Sequence, residues 1–241
     1  MAKNIVYISA LDGFADDFSW GIDTWESYCR KHNLRLIVST ERDPVISKSI
    51  NGSWYPWFDP KLCWGDWDRA IIVDADTMVR WSTPNLFDVE QSSFAVVKDS
   101  SPLDYGAIPH LDQWRKDFDV TMPPENYFNA GFILLDREKY QTISSKIKPY
   151  HEYASKPNVG TSSWEQTPVN LLAWDNFSAD IKYLPKIWND MLGFNYEYGD
   201  MSFINMSFVM HFTGPNLQSN KEKRKQIMKD TYMKIYHNYE S

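Results

Sequence analysis

Short, largely apolar runs recur along this chain, most closed by a polar or acidic residue and set apart by helix-like or loop-like stretches. Such runs read as strands buried on both faces, because a sheet with one wet face would alternate apolar with polar. Ile5–Ser9, Leu34–Val38, Ala70–Val73, Phe94–Val97, Phe132–Leu135, Ile181–Leu184 and Phe208–His211 fit this description. Asp16–His32 and Trp164–Trp174 read as helices, Pro168 being tolerable near a first turn. Residues 40–66, with Pro44, Pro56, Pro60, Trp54, Trp57 and Trp64, look like an irregular excursion, and residues 101–124 like a Pro-rich connection. Strands mixed with helices in this order predict an α/β fold with a mixed, mainly parallel central sheet flanked by helices. In such sheets ligands bind beyond the carboxyl ends of the strands. The residues that close each run are therefore the ones to examine.

A chain of 241 residues can bury a full core without staples, and 43% hydrophobic content makes it globular. Its formal charge of −7 disfavours nucleic acid, whose phosphates reward Lys and Arg. No apolar run is long enough to span a bilayer. Cys29 and Cys63 lack metal-ligand spacing and cannot build a disulfide framework. Asn51-Gly-Ser, Asn176-Phe-Ser and Asn205-Met-Ser are glycosylation acceptors only in a secreted chain. The first residues read as a strand without a leader, so a cytoplasmic setting is expected.

Residues 1–219 are expected to form one domain and residues 220–241 a basic amphipathic helix. That tail carries six Lys/Arg against three Asp/Glu. Ile227, Met228, Thr231, Tyr232, Ile235, Tyr236 and Tyr239 fall on one helical face. The face suits packing on its own domain or peripheral contact with an anionic membrane surface.

Asp-x-Asp occurs as Asp66/Asp68, Asp74/Asp76 and Asp117/Asp119. Only Asp74 follows a buried apolar strand, and residues i and i+2 of an extended segment point the same way. Asp74 and Asp76 thus aim hard oxygen ligands at one place, while the other pairs read as solvated loop acids. His211 closes the apolar run Phe208-Val-Met and completes an O,O,N set. Such a set suits Mn²⁺, with Mg²⁺ as the alternative. Phe128-Asn-Ala-Gly-Phe-Ile-Leu-Leu-Asp places small residues where a ligand needs close backbone approach. Glu165-Gln-Thr-Pro-Val-Asn170 sets a carboxylate and an amide at a helix start.

In family order, these segments resemble the retaining GT-A-fold glycosyltransferases of family 8, the group of glycogenin and the bacterial lipopolysaccharide galactosyltransferases. Ile71-Ile-Val-Asp-Ala-Asp-Thr, Tyr127-Phe-Asn-Ala-Gly-Phe-Ile-Leu-Leu-Asp, Trp164-Glu-Gln-Thr-Pro-Val-Asn-Leu-Leu, Leu184-Pro-Lys-Ile-Trp-Asn and His211-Phe-Thr-Gly carry the likeness over residues 1–217. It implies a Rossmann-like GT-A fold and a metal-dependent transfer of a hexose from a nucleotide-sugar, a UDP-sugar by preference, to a glycan or other hydroxyl acceptor. Asp74, Asp76 and His211 would hold Mn²⁺ against the donor diphosphate. Lys61 would contact the donor, Ser9 and Ala10 the base and ribose, and Gly214 would belong to the same donor-binding set. Asp99, Asn129, Ala130 and Gly131 would meet the sugar. Gln166 would lie beneath the anomeric carbon with Glu165, which stands where the family has Asp, beside it. Whether retention runs through a covalent intermediate on Glu165 or through an ion pair is left open by the sequence.

The family pattern places Lys where this chain has Leu217, so Lys221 or another tail cation would have to replace it. Trp54, Trp57, Trp64 and Trp114 fall in segments where an acceptor sugar would stack. Two other readings compete. An Asp-x-Asp phosphohydrolase would open on that motif, whereas here it lies far into the chain. A catalytically inactive nucleotide-sugar-binding protein of the same fold would keep the metal set.

Overall fold

In the computed structural model the described residues are 3–99, 107–156, 165–193, 206–214, 217 and 220–236, the side chains of 107–109 and 236 apart. The chain runs β1 (Asn4–Ser9), α1 (Phe14–Asp17), α2 (Ser19–His32), β2 (Arg35–Ser39), α3 (Pro60–Cys63), β3 (Arg69–Asp74), β4 (Thr77–Val79), α4 (Leu86–Val89) and β5 (Phe94–Lys98). It continues through α5 (Ala107–Asp117), β6 (Phe128–Asp136), α6 (Arg137–Lys146), α7 (Lys148–Ala154), α8 (Gln166–Phe177), β7 (Ile181–Leu184), β8 (Asp190–Met191), β9 (Val209–His211) and α9 (Lys221–Tyr236).

Six strands form the central sheet in the order β2-β1-β3-β6-β5-β7. β1 pairs in parallel with β2 and β3, and β5 with β7, while β6 runs antiparallel to both of its neighbours. Alternation along the strands explains the largely apolar runs. Ile5, Tyr7, Ala70 and Ile72 enter one core cluster, and Val6, Ile8, Ile71 and Val73 enter another on the opposite face. Each face is thus covered, as a sheet of this kind requires. A second, small sheet, β4-β9-β8, stands beyond the carboxyl end of β3. Its register sets Thr77 opposite His211.

Local chemistry sets several boundaries. α2 ends at Asn33, whose left-handed φ of 53° closes the helix after three basic residues in its last turn. Asp136 ends β6 and caps α6 at once, its carboxylate accepting from Lys139 N at 2.8 Å.

The mixed, mainly parallel sheet agrees with the sequence reading, and three details depart from it. Residues 101–124 are not simply a Pro-rich connection, since α5 occupies Ala107–Asp117 with Pro109 in its first turn, where proline is tolerated. The helix expected from Asp16 is two helices, because Phe18 interrupts it with φ −123°. The helix expected at Trp164 begins at Gln166, Trp164 itself lying outside the described residues. No helix among the described residues is long and apolar enough to cross a membrane.

α9 packs against the domain. Met228 and Ile235 belong to one of the two core clusters, and Thr231 is buried with them. Those three residues of the predicted apolar face are therefore turned inward, and Tyr239 lies outside the described residues.

Candidate active site

The site gathers at the carboxyl end of β3. Asp74 ends that strand, Asp76 follows in the turn to β4, and His211 ends β9 directly across from Thr77. His211 Nε2 lies 3.5 Å from Asp74 Oδ2 and 3.3 Å from Asp76 Oδ1. Ligand atoms of an octahedral ion bound at about 2.1 Å stand about 3 Å apart along each edge. The three side chains, with ligand atoms all within 4.8 Å of one another, fit a hard divalent ion.

Their electrostatics point the same way. Burial works against ionisation of Asp76, but His211, together with the Arg224 guanidinium, holds its carboxyl below the usual range. Asp74 still meets solvent along part of its side chain, yet the surrounding protein pushes its carboxyl up to about 6, with the Asp76 charge adding to the rise. Burial alone would lower His211; Asp76 and Asp74 overcome it and raise the imidazole above its ordinary value. The other Asp-x-Asp pairs behave as solvated acids: Asp66 and Asp68 bind Lys3, and Asp117 takes Gln113 and Tyr153.

A chain of amides leads away from His211. β6 loses register with β5 at this point, Val96 facing Ile133 and Val97 facing Asn129. The irregularity frees backbone N–H groups of Ala130 and Gly131 for side-chain acceptors. Gly131 N donates to Asn129 Oδ1 at 3.0 Å, and Ala130 N to Gln166 Oε1 at 3.1 Å. Because a backbone N–H can only donate, both side-chain oxygens are identified. Asn129 Nδ2 then donates to Gln166 Oε1 at 3.0 Å, and Gln166 Nε2 to Asp99 Oδ2 at 2.8 Å. On the other side Asn189 Nδ2 donates to Asn129 Oδ1 at 2.9 Å, which turns Asn189 Oδ1 towards His211 Nδ1 at 3.1 Å. The imidazole proton is thereby assigned to Nδ1, and the Nε2 lone pair is left for a metal.

Asp99, Asn129, Ala130, Gln166 and His211 thus form one connected group. Asn189 joins it from the end of the Leu184-Pro-Lys-Ile-Trp-Asn segment, and sequence reasoning had given it no role of its own. Gly131 has a physical reason to be glycine: a Cβ there would overlap His211 and stand 2.8 Å from Asp74 Oδ2. α8 is clamped to β6 by Asn170, which takes Phe128 N and donates to Phe128 O, both at 2.8 Å. Glu165, at the start of α8, is buried, bonds Ser53, and is pushed up to about 8 by burial and by the nearby Asp74 charge.

Residues expected around the nucleotide lie further along the sheet edge. Ser9 donates to Gly52 O at 2.7 Å, so the 40–66 segment folds back over the end of β1, and Ala10 is buried. Lys61 Nζ donates to Ser39 Oγ at 3.2 Å at the end of β2. Gly214 adopts φ 105°, open to glycine and strained for other residues. Leu217 is fully buried, and Lys221 pairs with Asp17 rather than facing Asp74 or Asp76.

Three of the four tryptophans expected to stack on an acceptor are buried instead. Trp54, Trp57 and Trp114 are core residues, packed with His151, Tyr140 and the Phe118–Tyr150–Tyr153 cluster respectively. Trp64 is 83% exposed but lies two residues from Asp66, which binds Lys3 ahead of β1. Residues 100–106, in the Pro-rich stretch ahead of Trp114, lie outside the described residues.

Sequence reasoning also missed Arg224. Its Nη1 donates to Asp76 Oδ2 at 2.6 Å from the first turn of α9, and its guanidinium lies over the Phe18 ring at 4.7 Å.

Among solved structures the chain is similar to a glycosyltransferase involved in the glycosylation of the major capsid of PBCV-1, with TM-score 0.60 and 12% identity over 94% of this chain and 98% of that one. It is similar to the galactosyltransferase LgtC, solved with donor and acceptor sugar analogues, at TM-score 0.55 and 16% identity over 97% and 96% of the two chains. The glycosyltransferase GlyE of Streptococcus pneumoniae TIGR4 matches at TM-score 0.57 and 13% identity, this chain covering 61% of that one with 97% of its own length. These likenesses establish the fold as GT-A. No curated protein sequence matches the chain. The profile described as glycosyl transferase family 8 matches residues 58–236, most of the chain, and with it the chain belongs to glycosyl transferase family 8.

Proposed function

We propose that the protein is a metal-dependent, retaining hexosyltransferase that takes its sugar from a nucleotide-diphosphate donor, a UDP-sugar by preference, and passes it to a hydroxyl of a glycan or similar acceptor. The observation that carries this reading is the continuous side-chain path from Asp74, Asp76 and His211 through Asn189 and Asn129 to Gln166 and Asp99. It joins a set of divalent-metal ligands to a row of groups suited to sugar hydroxyls. Mn²⁺ fits the mixed O,O,N donors better than Mg²⁺ does. When bound, such an ion supplies Lewis-acid stabilisation of the departing diphosphate.

The protein's own groups divide the remaining work. Gln166 Oε1 gives both of its lone pairs to Asn129 and Ala130. Its amide is therefore a strut that aims Asp99 and Asn129 at the sugar, and its oxygen is not free to face the anomeric carbon. Glu165 is the buried carboxyl beside it. Ionised, it is the anionic partner for positive charge developing at that carbon, worth most in a water-poor site. The acceptor proton can leave on the departing phosphate, so no histidine base is needed.

Calorimetric titration of UDP in the presence and absence of Mn²⁺ tests the reading. Binding that needs both is expected, with Asp76→Asn abolishing it and EDTA abolishing transfer. Equal UDP binding in EDTA, or full transfer by Asp76→Asn, would overturn it.

A further inference from the structure

Asp76 divides its carboxylate between two neighbours. Oδ1 faces His211 Nε2 at 3.3 Å, while Oδ2 accepts from Arg224 Nη1 at 2.6 Å. A carboxylate rotates freely unless something holds it, and a charge-assisted bond of this length does so. The oxygen left over is the one that points at the other ligand atoms.

Arg224 is itself held. Its side chain is only 12% exposed, and the Phe18 ring lies against the guanidinium. One residue and three residues away, Lys225 and Lys221 both pair with Asp17. One turn further, Met228 is fully buried. The first turn of α9 is thereby fixed relative to the end of β3, across 148 residues of sequence.

We infer that Arg224 is a positioning residue of the metal site: it fixes the Asp76 carboxylate by one oxygen, and it would leave the loaded site with positive charge to spare for a diphosphate. The inference rests on the metal reading above. Asp74 and Asp76 together balance a divalent ion, and His211 as a ligand is neutral. The guanidinium charge is then in excess, and an incoming diphosphate is strongly anionic. The buried Leu217 offers no cation for the purpose. Outer partners of metal ligands are typically worth about 10–100-fold in metal affinity.

The test is Mn²⁺ binding by the full chain, followed by electron paramagnetic resonance of the free ion, and then UDP titrated into the Mn²⁺-saturated protein. Arg224→Met is expected to weaken Mn²⁺ binding by about 10-fold or more and to weaken UDP binding at saturating Mn²⁺. Arg224→Lys, which restores the charge and one donor, is expected to recover part of both. In transfer assays the KM for Mn²⁺ should rise more than kcat falls, which a general loss of folding would not produce. If Arg224→Met does not fold, as judged by circular dichroism, Arg224→Gln takes its place. Mn²⁺ binding by the neutral variant as tight as wild type, or tighter, would overturn the inference. A wild-type protein that binds no Mn²⁺ would overturn the metal reading, and the inference with it.

Discussion

Asn189 presents its side-chain oxygen to His211 Nδ1 at 3.1 Å, and that orientation is dictated by a backbone N–H, Gly131 N, two hydrogen bonds away. A main-chain donor on β6 therefore decides which nitrogen of a β9 imidazole is available to a metal. Asn189→Leu should leave the tautomer unassigned and Asn129 Oδ1 short of one donor. Metal affinity is expected to fall by about 10–100-fold. Stability should fall by about 1–3 kcal/mol, since Asn189 is fully buried. Mn²⁺ titration and a denaturant melt measure the two separately, and unchanged Mn²⁺ affinity would refute the tautomer argument.

Gly131 gives a sharper steric test. Alanine there would press on His211 and on Asp74 Oδ2 together. Gly131→Ala should lose metal binding altogether while costing about 1–3 kcal/mol of stability, the usual range for overpacking. Gly13→Ala makes a useful contrast, because its Cβ would meet nothing within 4 Å and only the φ of 85° resists it. Metal binding by that variant should match wild type in the same titration.

Two pH dependences of opposite sign follow. A metal binds only deprotonated ligands, and Asp74 near 6 and the raised His211 both hold protons longer than usual. Mn²⁺ affinity should therefore climb as pH rises through about 6 and collapse below it. Without metal the order reverses. Glu165 keeps its proton in the folded state up to about 8, whereas the unfolded chain releases it near 4.5. Stability is then lost as pH rises across that window. Glu165→Gln removes this loss, so its melting temperature should gain on wild type from pH 5 to pH 8 and then level off. A gap that does not widen with pH would contradict a buried, protonated Glu165.

The tryptophans separate by burial. Trp114→Ala and Trp57→Ala each empty a core position and should cost about 3–5 kcal/mol. Trp64→Ala should leave both stability and transfer kinetics near wild type. A raised acceptor KM in Trp64→Ala would return that residue to the site.

What the sequence made legible was whatever its strand ends carried. Asp74, Asp76 and His211 each stand at or just past the close of an apolar run, and the run itself announces burial. Asn129-Ala-Gly and Glu165-Gln stood out for a similar reason, small or polar residues set directly against apolar ones. The direction of β6 was not legible, because a strand buried on both faces has the same pattern whichever way it runs. Trp54, Trp57 and Trp114 misled because proline-rich surroundings suggest a surface loop, while large aromatics beside prolines are equally good core. Arg224 was hidden by distance and by company: it sits in a helix start crowded with lysines, where each charge looks solvated. Its partner is far away in the chain, and nothing local distinguishes it from Lys223 or Lys225.

The pairing of Thr77 with His211 also constrains how the gene can change. β9 is three residues long and its side chains alternate between faces, so the face from which the imidazole projects is set by count. Losing or gaining one codon between Met206 and Met210 would keep an apolar strand in place and turn His211 away from Asp74. The product would have its ligand set broken. Truncating Val209 or Met210 would cost core packing, whereas a change of length there would break the ligand set as well.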